Sequence, residues 1–168
     1  MLLFAHLGLS LAAARFVAAA DLAFVALGSL LPDIIDKPLG WMIYGTPSMG
    51  RIYAHTLLFL LLFMALAFFF WDIRLASLSG GILAHLVLDS MWNSTTTLFW
   101  PLKGAFPVIT ELNTNDYIKQ LLMGLHDPWI LVPELLGLAY LLYIAFQYKS
   151  NLVARGKKWI RMGEPLGR

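Results

Sequence analysis

Residues 56–71 (TLLFLLLFMALAFFFW) are almost wholly apolar. That run is short for a membrane span and reaches adequate length only with a few flanking residues. A second apolar segment, 75–92, is softened by Gly80, Gly81 and three polar groups. A third, 128–147, opens at Pro128 and contains one acid, Glu134. Asp72 and Arg74 leave room only for a tight turn, which predicts that the first two segments pair as an antiparallel helical hairpin. The first thirty residues fit either one long helix or two shorter ones broken around Ala18–Asp21, where Arg15 and Asp21 interrupt the apolar pattern. Pro32, Pro38, Gly40, Gly45, Pro47 and Gly50 predict a loop over 32–50. Residues 91–127 form a longer polar connection, with Asn93-Ser94 and Asn113-Thr114-Asn115 as its turn signals.

Composition turns this pattern into a class. Hydrophobic residues make up 60% of the 168 and charged residues 13%, against roughly 45–50% and 25% in soluble domains. With a mean hydropathy of +0.73, a soluble fold would lack polar surface to cover itself. The expectation is an all-α integral membrane bundle of four or five membrane-embedded helices. Residues 1–148 would form the embedded domain and 149–168 a basic tail. Lys149, Arg155, Lys157, Lys158, Arg161 and Arg168 crowd that tail against Glu164 alone. It reads as a cytoplasmic anchor at the inner or plasma membrane rather than a nucleic-acid site. Helix alternation then places the polar clusters on the opposite, outward side. The absence of cysteine excludes disulfides and thiolate ligands.

Any transition-metal site must therefore come from His, Asp and Glu. Asp33 and Asp36 in LLPDIIDKP, His55 in GRIYAHTLL, and His85 with Asp89 in LAHLVLD all lie at the edges of apolar segments. Ionisable groups are costly there and mark functional sites. Imidazole with carboxylate suits a divalent ion of the zinc type. His85 and Asp89 are four apart and share one helix face. Both acids of the Asp33/Asp36 pair could ligate, or one could ligate while the other orients a histidine. His6 joins the site only if the N-terminal region folds back as a hairpin. Glu134 is either a ligand or general base, or a carboxylate packed against a neighbouring helix. Asp127 reads as a helix N-cap. Lys37 and Arg51 flank the cluster and would suit an anionic phosphoester as well as an interface anchor.

At these residues the chain resembles the LexA-binding, inner-membrane-associated hydrolases, also described as membrane-bound metal-dependent hydrolases. GSLLPDIIDKP, RIYAHTLL, GGILAHLVLDSMW and LFWPL occur in the family's order, from His6 to about Pro107. Two departures are visible. The family's acid-x-acid pair is here Asp33 and Asp36, three apart, and its His-Arg is here Gly50-Arg51. The ligand order is also similar to that of zinc-dependent phospholipase C and the fungal single-strand nucleases. His6, Asp33 or Asp36, His55, His85 and Asp89 match that order, while the third-site ligands are missing and only His126 and Glu134 could substitute. The resemblance implies one or two Zn²⁺ ions, a hairpin that returns His6 to the site, and hydrolysis of a phosphoester, including one in a lipid. One of Asp33/Asp36 would be a ligand, and Asp36 or Glu134 the catalytic base. Membrane lipids are the expected partners, and no protein partner is specified. Two rivals remain: a membrane scaffold with a structural metal, and an ion pathway using the same acids.

Overall fold

The structure is a computed structural model that describes residues 3–108 and 114–163, with the backbone alone at 47, 114–115, 120 and 150–163. All regular elements among the described residues are helical: α1 (Leu3–Ala14), α2 (Leu22–Tyr44), α3 (Leu57–Phe70), α4 (Ile73–Leu88), a short α5 (Thr95–Leu98), α6 (Thr114–Gly124) and α7 (Pro128–Gly163). Single 3₁₀ turns lie at Pro47–Met49 and Met91–Asn93.

Polar residues at the breaks set the boundaries by accepting the N–H groups that a helix start leaves without partners. Asp21 accepts from Ala23 and Phe24 to open α2. Thr56 accepts from Phe59 to open α3, and Asp72 from Arg74 to open α4. Asp127 accepts from Trp129 at the head of α7, as expected of an N-cap. The N-terminal thirty residues are two helices, and Arg15 and Asp21 fall at the turn between them. The α3–α4 hairpin turns at Trp71 and Asp72.

The segment 32–50 differs from the expected loop. Helix α2 runs through Pro32 and Pro38 to Tyr44 and ends at Gly45, which takes the left-handed conformation at φ 68°. Proline removes one ladder donor and crowds the turn before it without forbidding helix on either side. In the turn ahead of Pro32, the Ser29 carbonyl lies 2.7 Å from His85 Nδ1.

Helices α2 and α4 run side by side in close contact. A Cβ on Gly28 would strike the Leu78 carbonyl oxygen, and one on Gly81 the Val25 carbonyl oxygen. Asp21 N–H donates to Ser77 Oγ (2.9 Å), which holds the start of α2 against the first turns of α4, while α2 runs on past the end of α4. Leu60, Leu78, Ile82, Leu86 and Met91 form the main core. A second core of Met49, Ile52 and Phe106, with Trp100 stacked on Phe106, pins the segment between α2 and α3. The outer face of α3 leaves Leu58, Leu61, Leu62, Phe68 and Phe69 exposed. One stretch, Pro128–Lys149 of α7, is long and apolar enough to cross a membrane, and α1, α3 and α4 are shorter apolar helices. Helix α7 continues into the basic tail as far as Gly163, while the tail's side chains and residues 164–168 lie outside the described part.

Candidate metal centre

Five side chains converge where α1, α2 and α4 meet the segment leading into α3. Reversal at 15–21 brings His6 of α1 back beside the end of α4, with its Nε2 3.1 Å from Asp89 Oδ1. His55 Nε2 lies 3.1 Å from His85 Nε2, 3.7 Å from Asp33 Oδ1 and 3.8 Å from Asp89 Oδ2. His85 Nε2 is 4.0 Å from Asp33 Oδ1. The His6 and His85 rings sit 4.1 Å apart by centroid. Two overlapping groups, His6/His85/Asp89 and Asp33/His55/His85, have ligand atoms within 4.8 Å of one another.

The remaining ring nitrogens fix the chemistry. His85 Nδ1 lies 2.7 Å from the Ser29 carbonyl oxygen. A carbonyl only accepts, so Nδ1 carries the proton. His55 Nδ1 lies 2.7 Å from Asp36 Oδ2. That carboxylate already accepts from the backbone N–H groups of Ile52, Ala54 and His55, so its part toward the ring is again acceptance. In their neutral forms both histidines then present bare Nε2 lone pairs to each other at 3.1 Å. Two acceptors at hydrogen-bond distance repel unless a proton or cation lies between them. Ligands on one zinc-type ion, with bonds of about 2 Å, stand about 3–4 Å apart, and the His55 Nε2 separations from His85, Asp33 and Asp89 fall in that range. The donor set fits such an ion.

The acids divide by environment. Asp36 is fully buried and held by the backbone. Asp89 is buried against His6 and Arg51. Its Oδ1 faces His6 and its Oδ2 faces Arg51. Asp33 is 24% exposed and bridges to Lys37 at 2.7 Å. Arg51 reaches Asp89 Oδ2 at 2.8 Å. Both cations are about half exposed, at 49% for Lys37 and 47% for Arg51, and they mark the side on which the cluster reaches the surface.

Glu134 lies elsewhere. Its carboxylate accepts from Phe4 N–H (3.1 Å) and Ala5 N–H (3.2 Å), and it belongs to neither ligand group among the described residues. His126 belongs to neither group as well. The backbone partners, Ser29 C=O and the 52–55 amides, carry no signal in the sequence, because main-chain groups are chemically alike at every position. Residues 1–157 match the description YdjM inner membrane protein. The chain belongs to the YdjM inner membrane protein family. Membership makes it a membrane protein and covers every residue of the cluster. Comparisons with curated proteins and with solved structures gave no match.

Proposed function

We propose that this YdjM-family chain is a multi-pass inner-membrane hydrolase that binds one zinc-type ion and cleaves a phosphoester carried by a lipid headgroup. The observation that carries the reading is the pair of Nε2 atoms facing each other at 3.1 Å, with both Nδ1 atoms committed elsewhere. His6, His55, His85 and Asp89 hold the ion. His85 has one free nitrogen to offer, so the two overlapping groups describe one centre rather than two. An ion bound there supplies Lewis-acid polarisation of a phosphoryl oxygen and acidifies water.

This chain's residues do the rest. Asp33 is the carboxylate nearest the surface and takes the proton of the attacking water. Lys37 and Arg51 meet the phosphate oxygens, where negative charge grows in the transition state. Asp36 orients His55 through Nδ1. Apolar side chains on the outer faces of α3 and α7 meet lipid, the basic tail lies in the cytoplasm, and the centre opens on the other side. The order of ligands along the chain, similar to that of zinc-dependent phospholipase C, supports the same chemistry.

Elemental analysis of the purified chain in detergent, with a panel of lipid and soluble phosphoesters, tests this. About one zinc per chain, and hydrolysis lost in Asp33→Asn with the metal retained, are expected. Zinc bound with no ester cleaved favours a structural metal. Absence of metal overturns the proposal.

A further inference from the structure

Glu134 sits six residues past the start of α7 and is 6% exposed, yet both its carboxylate oxygens are engaged by another helix. The donors, Phe4 and Ala5, lie in the first turn of α1, where N–H groups have no intrahelical acceptor and the helix dipole is positive. A buried carboxylate is costly without such partners, and one facing a helix start is well compensated. The approach depends on two glycines. A Cβ on Gly137 would strike the Phe4 carbonyl oxygen, and one on Gly8 the Gly137 carbonyl oxygen. Helices α1 and α7 therefore meet backbone to backbone, one turn from Glu134.

The residue after Ala5 is His6. Its ring is buried between Asp89 and His85, so a shift of the first turn of α1 moves Nε2 directly. His6 is the one ligand on α1, whereas the other three, His55, His85 and Asp89, come from the segment leading into α3 and from α4 with its C-cap.

We propose that Glu134 is a positioning residue for the metal centre. It clamps the start of α1 and sets the distance of His6 from the ion, an inference that rests on the single-ion reading above. Its role is relayed through His6 alone, so the two residues must behave as one unit.

The test is a double-mutant cycle on the full chain in detergent micelles, with Co²⁺ alone as the probe. Glu134→Ala should weaken Co²⁺ binding about 10–100-fold, the usual cost of losing a group that orients a ligand. Its visible Co²⁺ spectrum should match that of His6→Ala. In the His6→Ala background, Glu134→Ala should have little further effect. Equal losses in both backgrounds, or a spectrum and affinity unchanged from wild type, overturn the proposal. Should Glu134→Ala fail to fold, Glu134→Gln runs through the same cycle, because it keeps one acceptor oxygen and loses the charge. Absence of Co²⁺ binding by the wild-type chain is a separate outcome that removes the metal centre itself.

Discussion

The α2–α4 and α1–α7 crossings use one device for different ends. In each, facing glycines let two helix backbones touch, Gly28 with Gly81 and Gly8 with Gly137. Small residues drive such packing where lipid offers no hydrophobic gain between helices. The α2–α4 crossing builds the centre directly. It carries Asp33, Asp36 and His85, leads into Asp89, and is locked by the Ser29 carbonyl on His85. The α1–α7 crossing contributes His6 alone, and its polar lock is a carboxylate on backbone amides. In the proposed reading, the first pair forms the metal site and the second braces one ligand.

The strongest break of this comparison is His85→Ala. It removes the nitrogen shared by both ligand groups, and metal occupancy should fall to near zero by elemental analysis. Retained zinc would show that α4 does not anchor the centre. Asp36→Asn comes next, because it removes the charge that orients His55. A loss of about 10–100-fold in metal affinity is expected, measured by chelator competition, and unchanged affinity would leave Asp36 a purely structural buried acid.

Gly81→Ala and Gly137→Ala then separate the two crossings. Each forces a Cβ into a facing backbone and should cost about 1–3 kcal/mol by overpacking. Thermal unfolding in detergent should register both. The Co²⁺ spectrum of Gly137→Ala should change only as that of His6→Ala does, and a different spectrum would erase the distinction between site and brace. The smallest effect belongs to Ser10→Ala. The Ser10 hydroxyl is buried without a partner, at the edge of a cavity of about 270 Å³ lined mainly by alanines, Gly80 and valines. Removing a desolvated hydroxyl should leave stability equal or raise it by about 1 kcal/mol. A clear loss would reveal a partner for that oxygen.

The sequence made much of this legible where side chains carry the signal. Asp72 and Arg74 mark the α3–α4 turn, Asp127 marks the start of α7, and the acids and histidines at the ends of apolar runs identify the cluster. Arg15 and Asp21 placed the turn that returns His6. Three features were hidden. Helix α2 persists through Pro32 and Pro38 because a proline weakens one turn without ending the helix, so composition alone suggested a loop. The division of labour between Asp33 and Asp36 depends on which one the 52–55 amides enclose, a tertiary event. Glu134 read equally as base or packed acid, because a helix start can accept a carboxylate from anywhere in the chain.

The unequal helix lengths have a consequence for the surrounding lipid. At 1.5 Å per residue, α3 and α4 are about 21 and 24 Å long. The 22 apolar-rich residues of α7 reach about 33 Å. A hydrocarbon layer is about 30 Å thick. For a bundle crossing the inner membrane, the layer meets full thickness along α7 and a deficit of several ångströms along the α3–α4 hairpin. Such mismatch is relieved by local thinning at modest energetic cost. The leaflet would dip on that flank, drawing phosphate headgroups down toward the level of Lys37 and Arg51. Membranes of reduced thickness would then be the ones in which this chain is most comfortable.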